Sequence, residues 1–305
     1  MRKGLLGTGI LLIAVFASVY LFIPSRLIIS DVGSAECSLP AAKRFIFEEK
    51  NWPAWSGTDS ISTNDYRHRI TNTFYSNTDI VISKDDEIYQ SNLLLIPYNI
   101  DSTGIEWRDT LYTGNNPFTR ITGYIKAKRL KKHTDSLMSR LLSFLNDKQK
   151  IYSINVFVEQ VVDRPLLSRR IVMDRVPTAE DAYNLIKSVR DYARQQGDTA
   201  TGNAMKYTSK IDTGHYELMV AIPTAKMLKG NKDFVAKGLV GGNPIATEIK
   251  GGEGTISNAW NAIRQYKDDY KLSSPAIPYE IMITDRSKEP DTSKWVTRII
   301  YPTRL

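Results

Sequence analysis

The sequence predicts an α+β protein whose C-terminal domain is internally duplicated and has pseudo-two-fold symmetry. Three observations predict this. The run AYNLI at 182–186 recurs as AWNAI at 259–263, and AIPT at 221–224 recurs as IYPT at 300–303, with nearly the same offset. In each copy, a β-rich run precedes an amphipathic helix and two strand-like runs follow it. Each copy therefore has the predicted order β-α-β-β, and we expect two small sheets and two helices to enclose one core with a cleft at the pseudo-axis.

Each repeat contains one helix with a single apolar stripe. The stripes consist of Ala182, Leu185, Ile186, Val189 and Ala193 in the first helix, and of Ala259, Ala262, Ile263 and Tyr266 in the second. The first helix is predicted to begin after Thr178 and to end at Gly197, because threonine is a good N-cap and glycine a common terminator. The second helix is predicted to begin after Thr255 in the same way.

The N-terminal end of the chain carries an uncharged apolar run at 4–23, preceded by Arg2 and Lys3 and ended by Pro24. About 20 such residues are enough to span a hydrocarbon core. We therefore predict a single-pass transmembrane signal anchor, with a cleaved signal peptide as the alternative. The two leading positive charges indicate a cytoplasmic N-terminus. The soluble domains would then lie outside the cytoplasm, in the periplasm of a Gram-negative cell.

Residues 26–147 are numerous enough to form a domain of their own. An opening strand is followed by a predicted helix at 39–50 and by an aromatic turn that contains Trp52 and Trp55. Strand-rich sequence then extends over 66–112, and a long amphipathic helix closes the domain. The apolar stripe of that helix consists of Leu130, Leu137, Leu141, Leu142 and Leu145.

Four motifs follow one another in the C-terminal half of the chain. They are YELMVAIP at 216–223, the segment from GG at 251–252 to AW at 259–260, YEIMITD at 279–285, and IIYP at 299–302. In this order and spacing, residues 151–305 resemble the GyrI-like, or effector-binding, domain of bacterial multidrug-responsive regulators and stand-alone ligand binders. The resemblance implies a cleft that holds flat or cationic hydrophobic molecules between aromatic side chains, with a buried glutamate as the charged contact. Glu280 matches this glutamate, and a polar run at 146–150 is the predicted linker before the domain.

Glu280 is a candidate ligand contact on physical grounds as well. In an alternating strand it shares a face with Met282, whereas Tyr279 lies on the other face. A carboxylate on such a mixed face needs a partner, which a cationic or hydrogen-bonding ligand supplies. The alternative is a surface glutamate paired with a lysine or an arginine.

Five aromatic residues are further candidate ligand contacts, because aromatic walls favour planar ligands through stacking and cation contacts. They are Tyr207, Tyr216, Trp260, Tyr279 and Trp295. The alternative for each is ordinary core packing. Trp260 and Trp295 are the preferred candidates.

The order strand, helix, antiparallel strands and long helix in residues 26–147, with a Trp-x-x-Trp turn after the opening helix, resembles the START-like helix-grip fold, also called the SRPBCC or polyketide cyclase superfamily. Such a domain often precedes a GyrI-like domain. The polar runs at 71–73 and 76–78 depart from the Gly-rich strand pair of that superfamily. The domain is therefore expected to be degenerate, and Trp52 and Trp55 are assigned a structural role between sheet and helix.

The formal net charge is +8, and the densest basic cluster lies at 126–133 in the long helix. This cluster is best explained as a solvated helix face, next as a contact with lipid headgroups, and least well as a nucleic-acid contact. No helix-turn-helix, basic zipper or zinc-finger pattern is present. No nucleic-acid partner is therefore expected, and the oligomeric state is left open.

Motifs for catalysis and for cofactors are absent from the sequence. His68, His133 and His215 do not have a metal-ligand spacing, and Cys37 has no histidine near it in sequence. No P-loop, dinucleotide fingerprint or Gly-x-Ser-x-Gly motif occurs. The Gly-rich turn at 251–254 is better explained as a change of chain direction than as a phosphate cradle. No cofactor and no metal is expected.

These observations predict a membrane-anchored protein that binds a hydrophobic small molecule, neutral or cationic, in the aromatic cleft of its GyrI-like domain. Two alternatives stay open. One, which the resemblance implies, is a hydrolase that uses Glu280 as a general base, and the other is a non-catalytic structural protein of the cell envelope. The absence of catalytic motifs favours binding over catalysis.

Overall fold

The computed structural model describes residues 14, 16–57, 62–63, 66–199 and 202–303. The chain divides into two compact units, Met1–Asp147 (unit 1) and Lys148–Leu305 (unit 2). Each unit contains one antiparallel sheet together with helices. The predicted α+β class is therefore confirmed.

Most of the predicted membrane segment at 4–23 lies outside the described residues. Residues 14 and 16–22 have helical backbone, and the Tyr20 hydroxyl donates a hydrogen bond to the Asn115 carbonyl oxygen at 3.0 Å. Within the part of the chain that the structure describes, no helix combines the length and the apolar character needed to cross a membrane.

Unit 1 contains a six-stranded sheet. Its strands are β1 (Arg26–Ala35), β2 (Ser62–Thr63), β3 (Tyr66–Thr73), β4 (Asn77–Lys84), β5 (Glu87–Pro97) and β6 (Thr103–Tyr112). Its helices are α1 (Leu39–Ile46), α2 (Pro53–Ser56) and α3 (Pro117–Leu145), with a 3-10 helix at Glu49–Asn51. The strands lie in the order β1-β6-β5-β4-β3-β2. Strand, helix, strands and long helix thus follow one another along the chain as the sequence predicts.

Helix α3 closes unit 1. It begins after Asn116, whose side chain accepts a hydrogen bond from the backbone N–H of Thr119 at 2.8 Å, as an N-cap residue should. The helix packs on β1 and β6. Four of the five predicted leucines are buried and Leu142 is half-buried. A Cβ on Gly33 would overlap the methyl groups of the Leu142 side chain, so a larger residue at that position would need Leu142 to change its rotamer.

Trp52 and Trp55 are both buried, with their ring centroids 5.3 Å apart. Their indole N–H groups donate hydrogen bonds to the carbonyl oxygens of Ile46 (2.8 Å) and Phe45 (2.9 Å). Both acceptors lie at the end of α1, where carbonyl groups lack a partner within the helix. These contacts give the two tryptophans the structural role that the sequence predicts.

Unit 2 contains an eight-stranded sheet. Its strands are β7 (Phe157–Val158), β8 (Arg164–Met173), β9 (Met205–Lys210), β10 (Tyr216–Pro223), β11 (Phe234–Leu239), β12 (Ile245–Lys250), β13 (Tyr279–Met282) and β14 (Val296–Tyr301). Its helices are α4 (Lys148–Tyr152), α5 (Ala179–Gln195) and α6 (Glu253–Asp269), with a 3-10 helix at Thr292–Lys294. Part of the predicted linker at 146–150 is thus helical, and α4 packs on α6 through a hydrogen bond from the Tyr152 hydroxyl to Asp269 Oδ2 (2.8 Å).

The strands of unit 2 lie in the order β11-β8-β10-β9-β13-β14-β12-β7. The segments β8-α5-β9-β10 and β12-α6-β13-β14 occupy the two halves of this sheet, and their second strands, β9 and β13, are neighbours at the centre. The expectation of two separate small sheets is wrong. Because Ile281 pairs with Met205 and Glu280 with Lys206, hydrogen bonding continues across the junction and one sheet results.

The predicted boundaries of α5 are confirmed, whereas those of α6 need a correction. Thr178 caps α5 in a reciprocal capping box with Asp181, and Gly197 follows the helix with φ of +70°. Helix α6 begins at Glu253 after Gly252, earlier than predicted. Gly251, with φ of +148°, turns the chain directly into the helix, so Thr255 lies inside the first turn rather than capping it.

The two faces of the unit 2 sheet carry different clusters of buried side chains. One face, here called the helix face, packs on α5 with Leu167, Leu218, Val220, Ile222 and Met282. The opposite face, here called the open face, carries the cluster Leu166, Met205, Ala221, Ala246, Tyr279 and Ile300. Side chains alternate between the two faces along each strand, so the face of each candidate residue follows from its position.

Candidate functional site

A cavity of about 790 Å³ lies on the open face of the unit 2 sheet. Strands β8 to β11, β13 and β14 contribute to its lining, together with the loop segments at 240–244 and 275–277. Its apolar walls include Leu166, Met205, Met219, Leu239, Ile277 and Ile300. The volume lies within the range of pockets that bind drug-sized molecules.

The side chains that line the cavity are mainly apolar, and the charged one among them within the described residues is that of Lys237; Lys206 contributes to the lining from strand β9, but its side chain projects to the helix face beside Glu280. Lys206 and Lys237 belong to the lining, and no aspartate, glutamate or histidine does among the described residues. Tyr207, Tyr279 and Thr303 also line it, and Thr303 Oγ1 is buried without a hydrogen-bond partner within the described chain. Burial raises the pKa of the Tyr279 hydroxyl to about 12, so this group stays a hydrogen-bond donor at neutral pH.

Lys237 extends from β11 on the same face as Leu166, its register partner on β8. Its ammonium group donates to Met219 Sδ at 3.5 Å. Burial, followed by the positive charge of Arg170, lowers the pKa of Lys237, whereas Glu217 acts in the opposite direction. Glu217 itself pairs with Arg170 at 3.5 Å.

The structure separates the six residues that the sequence singled out for ligand binding. Tyr207 and Tyr279 line the cavity. The other four are not among its lining residues, and they are Tyr216, Trp260, Glu280 and Trp295. For Glu280 the reason is strand alternation, because it lies between Tyr279 and Ile281 of the open-face cluster and therefore projects to the helix face.

On the helix face, Glu280 is surrounded by partners from the protein itself. Its Oε1 accepts a hydrogen bond from Trp260 Nε1 at 2.8 Å. Its Oε2 lies 3.1 Å from Lys206 Nζ, within ion-pair distance but without hydrogen-bond geometry. Arg286 Nη2 lies 3.9 Å from the same oxygen. The partner that this carboxylate needs is thus supplied by two cations of the chain.

Arg286 connects this buried charge cluster to both helices. Its side chain is only 1% exposed, pairs with Glu253 of α6 at 2.9 Å and lies 4.8 Å from the Trp295 ring centre. Its Nη2 also donates to Thr297 Oγ1 at 2.8 Å. Its backbone N–H donates to the hydroxyl of Tyr183 on α5 at 2.6 Å. Two acidic and two basic side chains therefore balance one another at the centre of the helix face.

Sequence reasoning missed Lys237, Met219 and the whole of strand β11. The signal in Phe234–Leu239 is weak, because apolar residues stand at both alternating positions and Lys237 is the one charged side chain in the run. The run lies between the two repeats and has no counterpart in the duplication pattern. It was therefore not recognised as part of the sheet.

In unit 1, two histidines that are distant in sequence lie next to each other. His68 Nε2 and His133 Nε2 are 3.2 Å apart, and the Tyr66 ring stacks on His133 with centroids 4.3 Å apart. Both histidines are buried. Within the described residues, no group of three or more His, Cys, Asp or Glu side chains is arranged to hold a metal ion.

No protein-family model matches the chain, and no curated protein matches it. Solved structures with some likeness include the C-terminal domain of EcmrR, with 15% identity and a TM-score of 0.43 over 50% of this chain and 98% of that chain. They also include EcmrR in a cryo-EM complex with DNA, with 16% identity and a TM-score of 0.45 over 61% and 72% of the two chains. SAV2435 bound to tetraphenylphosphonium has 12% identity and a TM-score of 0.33 over 50% and 94%.

At these identities and TM-scores, the likenesses establish neither a common fold nor a common function. The comparison does not support the expectation that this chain has no nucleic-acid partner. That expectation stays a prediction.

Proposed function

We propose that unit 2 is a small-molecule-binding domain and that its ligand occupies the open-face cavity. The observation that carries this proposal is the cavity itself, about 790 Å³ in volume and walled mainly by apolar side chains. Such a volume suits a ligand of drug size, and apolar walls stabilise it through burial of its own apolar surface. Tyr207 and Tyr279 are the aromatic contacts in this proposal.

The cavity also bears on the two alternative functions. A structural envelope protein has no need of an open cavity. A hydrolase needs a general base within hydrogen-bond reach of the reacting water. No carboxylate or imidazole side chain is among the described residues that line the cavity, and Glu280 is paired on the helix face. These observations favour binding over hydrolysis.

Titration of the full chain with N-phenyl-1-naphthylamine, an apolar dye that fluoresces when buried, tests the proposal. Leu239→Trp enlarges a lining side chain and should weaken dye binding by about tenfold or more, because the cavity loses volume. Val235→Trp is the matched control, since Val235 is exposed on the same strand and does not line the cavity. Absence of saturable binding to the wild-type chain, or equal loss in both variants, would contradict the proposal.

We propose in addition that the two units are a degenerate START-like domain and a GyrI-like domain formed by duplication. Support for the first is the element order of unit 1 and its buried Trp-x-x-Trp turn. Support for the second comes from the sequence motifs and from the equivalent positions of the two β-α-β-β segments in the sheet.

We also propose that the N-terminal apolar run anchors the protein in the membrane, with both units outside the cytoplasm. Its support is the uncharged sequence at 4–23 and the two preceding charges, Arg2 and Lys3. In the helical part that the structure describes, Leu21 and Phe22 are 82% and 81% exposed. Large exposed apolar side chains at the end of such a run suit a lipid environment.

A further inference from the structure

The charge of the open-face cavity differs from what a cationic ligand would require. Lys237 is the charged side chain on its open-face wall, and no carboxylate side chain lines it within the described residues. Lys206 is neutralised from the helix face by Glu280 at 3.1 Å. The ammonium group of Lys237 is therefore the charge that a ligand in the cavity meets.

Lys237 is half-buried, and the protein gives it little compensation for the lost contact with water. The Met219 thioether, 3.5 Å from Nζ, is a weak acceptor and carries no charge. Glu217 is the carboxylate that raises the pKa of Lys237, but it is itself ion-paired with Arg170. Taking an ammonium group out of water is costly unless an opposite charge accompanies it. An anion in the cavity would supply that charge.

Other polar groups of the lining can also serve an anion. Tyr207 and Tyr279 are hydroxyl donors with no hydrogen-bond partner in the described part of the chain, and Thr303 Oγ1 is buried and also lacks one. An anionic head group has several lone pairs and can accept from more than one such donor. The hydroxyl groups can also accept hydrogen bonds, so the preference for an anion rests on Lys237.

We propose that the cavity binds an amphiphile with an apolar body and a single anionic head group, a carboxylate or a sulfonate, and that Lys237 forms the ion pair with that head group. The proposal rests on the proposed function of unit 2, and it names the ligand class. The apolar walls hold the body of the ligand, while Lys237 and the hydroxyl donors orient its head. Specificity against cations follows, because a second positive charge beside Lys237 would be repelled.

A matched pair of dyes tests this ligand class on the full chain. 1-Anilinonaphthalene-8-sulfonate has the ring system of N-phenyl-1-naphthylamine with an added sulfonate. Lys237→Met removes the charge and keeps an unbranched side chain. It should raise the dissociation constant of the sulfonate dye about 10- to 100-fold, the usual worth of a charge-assisted hydrogen bond, and leave the neutral dye unchanged. Lys237→Arg should keep most of the affinity.

Lys232→Met provides the control, because Lys232 is exposed, lies five positions earlier and is not part of the lining. It should leave both dyes unaffected. Unchanged binding of the neutral dye would show that the Lys237→Met variant keeps a folded cavity. If that variant loses the neutral dye, Lys237→Gln provides a second uncharged substitution at the same position.

The outcomes separate this inference from the proposed function. If the wild-type chain binds neither dye, the proposed function itself fails. If both dyes bind and Lys237→Met weakens neither, or both equally, the function stands and the anionic ligand class is wrong. Tighter binding of tetraphenylphosphonium than of the sulfonate dye would also overturn the ligand class.

Discussion

Glu280 and Lys206 form an ion pair across the central strand junction of unit 2, with 3.1 Å between Lys206 Nζ and Glu280 Oε2. They lie directly opposite each other in the register of β13 and β9, and their side chains are 8% and 12% exposed. This junction joins the two β-α-β-β segments into one sheet. The glutamate that the sequence indicated as a ligand contact thus holds the two halves of the sheet together.

Glu280→Gln should therefore destabilise unit 2. The glutamine amide oxygen can still accept the hydrogen bond from Trp260, but Lys206 and Arg286 lose the negative charge that Glu280 provides. Removing one partner of a buried ion pair lowers the free energy of unfolding by about 3 to 5 kcal/mol. Because this pair keeps some exposure to solvent, we expect a loss at the lower end of that range. Denaturant unfolding measures it, and Lys206→Met combined with Glu280→Gln should cost less than the sum of the two single changes.

The same variant separates a structural Glu280 from a ligand-binding one. Because Glu280 lies on the helix face, its replacement by glutamine should leave the affinity of N-phenyl-1-naphthylamine and of a cationic dye within about twofold of wild type. A selective loss of the cationic dye, with folding intact, would instead support the ligand contact that the sequence predicts.

The local features of the chain could be predicted because they depend on neighbouring residues. The apolar stripe of α5, its Thr178 cap and the leucine stripe of α3 follow from helical spacing alone. The sequence likewise predicts the strands that end near Pro223 and Tyr301. Each of these is a pattern within a single element.

Features that depend on strand order were not predictable in this way. Alternation correctly separated Tyr279 from Glu280, but it could not show which face the helices cover. That depends on the neighbours of β13 in the sheet, which are distant in sequence. The contact of His68 on β3 with His133 on α3, 65 positions apart, likewise joins elements that are distant in sequence. Of the five candidate aromatic residues, Tyr207 and Tyr279 line the cavity on the open face, whereas the preferred candidates Trp260 and Trp295 do not.

The stability of unit 1 should depend on pH through Asp109. Burial raises the pKa of this carboxyl to about 6, even though Ser91, Thr134 and Trp107 favour its ionised form. Between about pH 4 and pH 6 the folded state keeps a proton that the unfolded chain has released, so the free energy of unfolding falls as pH rises. The contribution is about 3 kcal/mol at most. Asp109→Asn removes this titration.

Unfolding of wild type and Asp109→Asn should be followed at pH 4 and at pH 7. The asparagine variant should gain stability relative to wild type as pH rises, because it has no carboxyl to ionise. Ser91 Oγ, 2.7 Å from Asp109 Oδ1, can bond to the amide oxygen, so the site keeps that contact. A difference between the two proteins that is independent of pH would refute a raised pKa at Asp109.

His133 should act in the opposite direction. Burial, followed by the charge of His68, lowers its pKa to about 4. Between about pH 4 and pH 6.5 the unfolded chain binds a proton that the folded state excludes, so this histidine makes stability rise with pH, by at most about 3 kcal/mol. Imidazole signals in an NMR pH titration measure the pKa directly, and His133→Gln assigns the signal. A His133 signal that titrates near pH 6.5 would contradict the prediction.

The proposed membrane topology predicts the side on which the C-terminus lies. An alkaline phosphatase fused after Leu305 should be active, because residues 4–23 would act as a signal anchor with the N-terminus in the cytoplasm. Deletion of 4–23 should abolish that activity. A fluorescent protein that matures only in the cytoplasm should stay dark at the same position, and its fluorescence would reverse the topology.

Unit 2 should fold and bind its ligand without unit 1. Its sheet contains both β-α-β-β segments, and its boundary at Lys148 coincides with the start of α4. The cavity is lined by unit 2 residues. A fragment that begins at Lys148 should therefore show one cooperative thermal transition and bind N-phenyl-1-naphthylamine with the affinity of the full chain.

A second fragment, beginning at Ser153, shows whether α4 belongs to this unit. It lacks the buried hydrogen bond from the Tyr152 hydroxyl to Asp269 Oδ2 and the edge contact of the Tyr152 ring with Tyr266, so it should melt several degrees lower. Equal melting of the two fragments would place the boundary after α4, near the polar run that the sequence suggests as a linker. A fragment from Lys148 that does not melt cooperatively would show that the unit 2 core depends on residues before it.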